Sequence, residues 1–153
     1  MKPIITKLLL LISVLIVQQK AVAQDPEKEV IQVAHDFFAA LEKGDSTAFR
    51  ALFIPSAKVY TVREKYAQSV INHRSPFTDT FRPGTVIKER MKSQGVVVQV
   101  HNRTAMIWAP YDLWVNDVFS HCGIDIFTLL LTPNGWRIAS LAYSIENEGC
   151  TPP

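Results

Sequence analysis

Four side chains with acid–base chemistry, Asp112, His121, Asp125 and Tyr143, fall within one stretch, residues 108–143. That stretch reads as three consecutive strands joined by turns at Asn116-Asp117 and Pro133-Asn134-Gly135. Turn residues flanked by aromatic and β-branched ones are a strong hairpin signal. A two-residue loop at Asn116-Asp117 pairs Val115 with Val118, Trp114 with Phe119 and Asp112 with His121. A type I turn with a glycine bulge at Gly135 pairs Asp125 with Tyr143, Phe127 with Leu141 and Leu129 with Ala139. Opposed residues share a face and neighbours along a strand alternate. The expectation is one face with apolar Trp114, Phe119, Phe127 and Leu141 at one end and Asp112, His121, Asp125 and Tyr143 at the other. Pro110 weakens the placement of Trp108 beside Asp125, because proline in a strand marks an edge or a bulge.

A carboxylate opposite an imidazole fixes its tautomer and raises its basicity, so Asp112 with His121 could serve as a general base. The same pair could equally satisfy itself and hold the hairpin in register, or touch a ligand without chemistry. Asp125 beside Tyr143 in an apolar pocket would have a raised pKa and act as a base or a neutral donor. Its plainer reading is a cross-strand hydrogen bond. No His-x-His or Cys-x-x-Cys spacing supports a metal site, and no glycine-rich phosphate loop occurs, so neither metal nor cofactor is expected.

The elements that position these residues come earlier in the chain. Lys2 and Lys7, an apolar run from Leu8 to Val17, and Ala21-Val22-Ala23 follow the order of a secretory signal peptide, expected over 1–23. Residues 24–153 then form a single domain. Removing the leader turns the formal charge of +2 into −1, with 13 basic against 14 acidic residues, so nucleic-acid binding loses its simplest argument. Asp25-Pro26 caps a first helix that carries Val30, Ala34, Phe37, Phe38 and Leu41 and ends at Gly44. A second, short helix starts at Asp45 or Ser46 and is stopped by Pro55. Their apolar faces need the later sheet to lie on. Residues 57–62 read as a strand, 63–84 as an irregular lid or binding loop, 86–93 as a third short helix and 96–100 as a strand. Residues 58–92 hold eight basic and three acidic residues, a solvated face or a basic rim for an anionic ligand. Cys122 and Cys150 in an exported chain are expected to form a disulfide.

Helices first, then a curved antiparallel sheet ending in long hairpins, resembles the nuclear transport factor 2-like superfamily. The wording is closer to its exported, SnoaL-like bacterial members labelled "putative lumazine-binding". It lies in Trp108-Ala109-Pro110-Tyr111-Asp112, Phe119-Ser120-His121-Cys122-Gly123 with Asp125, Gly135-Trp136-Arg137-Ile138-Ala139-Ser140, and Glu148-Gly149-Cys150. The resemblance implies a cone-shaped α+β fold with N-terminal helices packed on the concave face of the sheet, a deep cavity, and a homodimer through the outer face. Superfamily relatives include isomerases, cyclases, dehydratases and binding modules, so fold does not fix function. The expectation is an exported, periplasmic or secreted domain that binds a small apolar or aromatic molecule, with no nucleic-acid partner and no membrane association after leader cleavage. Trp108, Trp114, Phe127 and Tyr143 would form the walls, and Asp112, His121 and Asp125 would orient the ligand. The alternatives are an acid–base enzyme using His121 or Asp125, and an interaction module whose pocket is vestigial.

Overall fold

Apolar residues at helical spacing fold the first part of the chain. The structure, a computed structural model, describes residues 25–151, so the expected leader lies outside it. Helix α1 (Pro26–Lys43) starts at Asp25, whose side chain accepts from the Glu27 amide, and ends at Gly44 in the left-handed region. Helix α2 (Ser46–Ala51) is capped by Asp45, which accepts from the Thr47 and Ala48 amides.

Seven strands follow: β1 (Phe53–Lys65), β2 (Gln68–Arg74), β3 (Ile87–Met91), β4 (Val97–His101), β5 (Thr104–Val115), β6 (Val118–Thr132) and β7 (Gly135–Ile145). They form one curved sheet in the order β2-β1-β7-β6-β5-β3, with β4 also paired to β5. The fold is α+β as expected. Every junction is antiparallel except β1 with β7, which is parallel.

Two expected elements change. The segment 63–84 is not irregular throughout: β1 runs to Lys65, and Tyr66 and Ala67, both at positive φ, turn the chain into β2. Neither residue is a usual turn former, which is why the hairpin leaves little trace in the sequence. Residues 87–91, expected as helix, are strand β3, paired with Tyr111–Val115 of β5. Asn116 pins the start of β3 by accepting from the Val86 amide at 2.8 Å and donating its own amide to the Val86 carbonyl at 2.9 Å. Tertiary pairing overrides the local helix signals there.

The core lies between α1 and the concave face. Phe37 sits edge-on to Phe127 at 5.4 Å and to Phe38 at 5.5 Å, and packs against Phe49 at 5.4 Å. Each such ring, fully buried, contributes roughly 1.5–3 kcal/mol. Cys122 and Cys150 form the expected disulfide, with Cα atoms 5.7 Å apart. It ties the tail to β6, where Cys122 and Glu146 also exchange backbone hydrogen bonds.

Candidate functional site

Two bulges decide which side chains meet on the concave face. Val115–Val118 and Trp114–Phe119 pair as expected, but the next pair is Leu113 with His121, leaving Ser120 as an extra residue. From there on, every partner in this hairpin is displaced by one. Asp112 therefore pairs with Cys122, not with His121, and Ala109 rather than Trp108 lies opposite Asp125. Both expected placements are corrected by this single bulge. Asp112 is buried on the face away from His121 and pairs with Lys92 at 3.0 Å. Trp108 is 40% exposed on the outer face.

The second hairpin reaches the expected register by another route. Thr132 pairs with Gly135 and Leu129 with Ile138, so Pro133-Asn134 is a two-residue turn and the pairing of Leu129 with Ala139 does not occur. Ala139 is the extra residue, and beyond it Phe127 meets Leu141 and Asp125 meets Tyr143.

A cavity of about 150 Å³ lies between the helices and the concave face. Phe37, Leu41, Phe49, Val59 and Leu141 supply apolar wall; Arg74, Glu89, Tyr111, His121, Asp125 and Tyr143 supply polar atoms. Trp114 and Phe119 pack edge to face at 5.8 Å near the 116–117 turn and do not line it. Phe127 is fully buried core rather than cavity wall. Among the expected residues, then, the structure brings together His121, Asp125 and Tyr143.

Glu89 and Asp125 are the centre of the polar end. Asp125 is 1% exposed and Glu89 9%, and their carboxyl groups hydrogen-bond each other. Two ionised carboxylates cannot do so, and burial disfavours charge on both, so the pair holds a shared proton. Burial pushes Glu89 up to about 7, against the pull of the Asp125 hydrogen bond and the Arg74 charge. Burial, then the charge and hydrogen bond of Glu89, holds Asp125 well above the usual carboxylate range. No N–H and no Ser, Thr or Tyr hydroxyl of the described residues donates to the buried Oδ2 of Asp125.

Arg74 faces this pair from β2. Burial works against its charge, but the hydrogen bond and attraction of Asp79 and the neighbouring Tyr143 outweigh that and raise its pKa. Its Nε donates to Asp79 Oδ1 at 2.7 Å and its Nη1 to the Tyr143 hydroxyl at 3.3 Å. Asp79 is held in turn at its carbonyl by Arg50 Nη2, at 3.1 Å.

Tyr111 crosses the sheet to donate to the Ser144 carbonyl at 2.7 Å. It can do so because residue 123 is glycine: a Cβ there would collide with the Ser144 carbonyl oxygen and lie 2.8 Å from the Tyr111 ring. Burial, then the charges of Glu89 and Asp125, raises the Tyr111 pKa, so its hydroxyl stays protonated. His121 sits edge-on to Tyr111 at 5.8 Å, with Nδ1 3.0 Å from the Ser120 hydroxyl. Burial lowers its pKa, so it is neutral at neutral pH.

Sequence reasoning missed Glu89, Arg74 and Tyr111. Glu89 was hidden in a charged run, and Arg74 in the segment without period. Tyr111 and Gly123 fell inside the words that carry the resemblance, and their partnership was the signal available there.

The fold is that of the nuclear transport factor 2-like class. A nuclear transport factor 2-like superfamily protein from Salmonella enterica superposes with a TM-score of 0.63 at 15% identity, covering 82% of this chain and 94% of that one. The β subunit of a putative aromatic-ring-hydroxylating dioxygenase from Novosphingobium aromaticivorans gives 0.63 at 11%, covering 85% and 95%. A protein described as a putative dehydratase of this class, from Streptomyces avermitilis, gives 0.57 at 16%, covering 78% and 95%. At these identities the likeness is one of fold. No curated protein matches the chain by sequence. Residues 25–144 match the family described as "Putative lumazine-binding", and the chain belongs to that family.

Proposed function

We propose that this protein binds a small, largely apolar or aromatic molecule in the cavity between α1 and the concave face. The observation that carries this reading is Asp125: a fully buried carboxyl on a cavity wall, with an oxygen to which no N–H and no Ser, Thr or Tyr hydroxyl of the described residues donates. Natural buried polar groups are nearly always paired, and an exception calls for an explanation. A ligand donor supplies one. The family description names a lumazine, which is a small aromatic heterocycle. A cavity of about 150 Å³ suits a small ring system rather than a steroid- or polyketide-sized molecule. The test is native mass spectrometry of the full chain purified after export, followed by titration with lumazine. A small-molecule adduct or lumazine binding, lost in Asp125→Asn, supports the reading. An apo mass with no lumazine binding overturns it.

The paired carboxyls favour a second reading, acid–base catalysis. With one proton between them, the ionised carboxyl of the pair takes a proton from a bound carbonyl compound while the other keeps its own, and neutral His121 serves as acceptor beside them. Turnover that disappears in both Asp125→Asn and Glu89→Gln, with binding retained, distinguishes catalysis from binding alone.

The same proposal places the mature chain outside the cytoplasm as a single domain after a leader of residues 1–23. The disulfide is compatible with export, and among the described residues no helix is long and apolar enough to cross a membrane. A homodimer through the outer face belongs to this reading too. Tyr60, Val62, Ile71 and Trp108 are exposed there, around a groove of about 270 Å³. Sedimentation of wild type and Trp108→Lys tests it: a dimer that becomes a monomer supports it, and a monomeric wild type overturns it.

A further inference from the structure

The polar end of the cavity carries two unlike hydrogen-bonding groups side by side. One is an acceptor. Glu89 and Asp125 are two buried carboxyls on the cavity wall, and no N–H and no Ser, Thr or Tyr hydroxyl of the described residues donates to Asp125 Oδ2. A buried acceptor in that state is costly to leave unpaired, so this pole attracts an N–H or O–H. The other is a donor. Tyr143 pairs directly with Asp125 across the β6–β7 ladder, and its hydroxyl oxygen accepts from Arg74, which leaves its O–H to donate. Arg74 commits Nε to Asp79 and Nη1 to Tyr143, and a guanidinium has five N–H donors in all.

We propose that Arg74 and Asp125 are the specificity determinants of this cavity, and that its ligand class is a flat ring bearing an N–H beside a carbonyl, a cyclic amide or imide. This rests on the cavity being the ligand site. The ring N–H meets the carboxyl pair, the adjacent carbonyl meets Tyr143 and Arg74, and the ring face lies on Phe37, Phe49 and Leu141. The space suits a small, flat ring system. Arg74 enters the cavity wall from β2, whose register is set by the Tyr66-Ala67 turn. The β1–β2 hairpin therefore contributes to specificity.

Three probes of similar size separate the contributions at pH 6: uracil, 1,3-dimethyluracil and benzene, titrated into the full chain by NMR. Uracil is expected to bind at least tenfold more tightly than dimethyluracil, which keeps the carbonyls and loses the donors. Arg74→Gln is expected to lower the uracil-to-benzene affinity ratio at least tenfold. Asp125→Asn is expected to narrow the gap between uracil and dimethyluracil. Benzene binding and a cooperative melt establish that each variant is folded. Equal binding of all three probes to the wild type, or an unchanged ratio in Arg74→Gln, overturns the proposal and leaves the cavity as an apolar site. Failure of every probe, benzene included, overturns the cavity reading itself.

Discussion

Glu89 on β3 and Asp125 on β6 hydrogen-bond each other across the intervening strand β5. Neither strand alone builds this pair. It exists because β5 pairs with both neighbours and because the Ser120 bulge turns Asp125 to the cavity opposite Ala109, a residue too small to cover it.

The pair has a consequence for stability against pH. Both carboxyls bind protons more tightly in the folded state than in the unfolded chain. Where the native state binds more protons, unfolding free energy falls as pH rises. The contribution is complete below the unfolded carboxylate range and is lost as pH climbs toward about 7, the folded value for Glu89. Urea unfolding between pH 4.5 and 8 is expected to show this decline, on the order of a few kcal/mol, and Asp125→Asn is expected to flatten it. An identical slope in the variant contradicts the shared proton.

Gly123 is the residue that lets Tyr111 reach Ser144. Gly123→Ala forces a Cβ into the Ser144 carbonyl and against the Tyr111 ring, and is expected to cost about 2–4 kcal/mol. Tyr111→Phe leaves the Ser144 carbonyl without its donor and is expected to cost about 1–3 kcal/mol. Chemical denaturation measures both. Near-neutral behaviour of Gly123→Ala means the crossing is not fixed as described.

The disulfide closes a loop of sequence separation 28. The chain-entropy relation gives about 3.5 kcal/mol for such a loop. Cys150→Ser is therefore expected to lower the urea midpoint while ligand affinity stays within twofold, since neither cysteine lines the cavity.

Tyr66 (φ 54°) and Ala67 (φ 57°) occupy left-handed backbone that costs such residues roughly 1–2 kcal/mol each. The double substitution Tyr66→Asn with Ala67→Gly is expected to stabilise the protein, by at least 1 kcal/mol, in thermal and urea unfolding. A loss of stability means the Tyr66 side chain makes a contribution that its exposure does not suggest.

What the sequence made legible follows from how local each signal is. Asp25-Pro26 and Gly44 bracket α1 with chemistry confined to a few residues, and both ends were readable. Asp125–Tyr143 was readable too, although the reading balanced two differences: a two-residue turn in place of three, and the extra residue at Ala139. Asp112–His121 failed because a bulge at Ser120 has no compositional mark. The Tyr66-Ala67 hairpin lacked the Gly or Asn that announces such a turn. Glu89 and Arg74 lie on strands that exist only through their partners, so no window of sequence contains the cluster they form with Asp125 and Tyr143.

The claim on which the rest depends is that the concave cavity, rather than the outer-face groove, receives the ligand. Methyl chemical-shift mapping during a lumazine titration tests it most directly. The account predicts shifts at Leu41, Ile87, Leu141 and Ile145, which line the cavity. Shifts confined to Ile71, Ile124 and Ile126, which line the outer groove, contradict it.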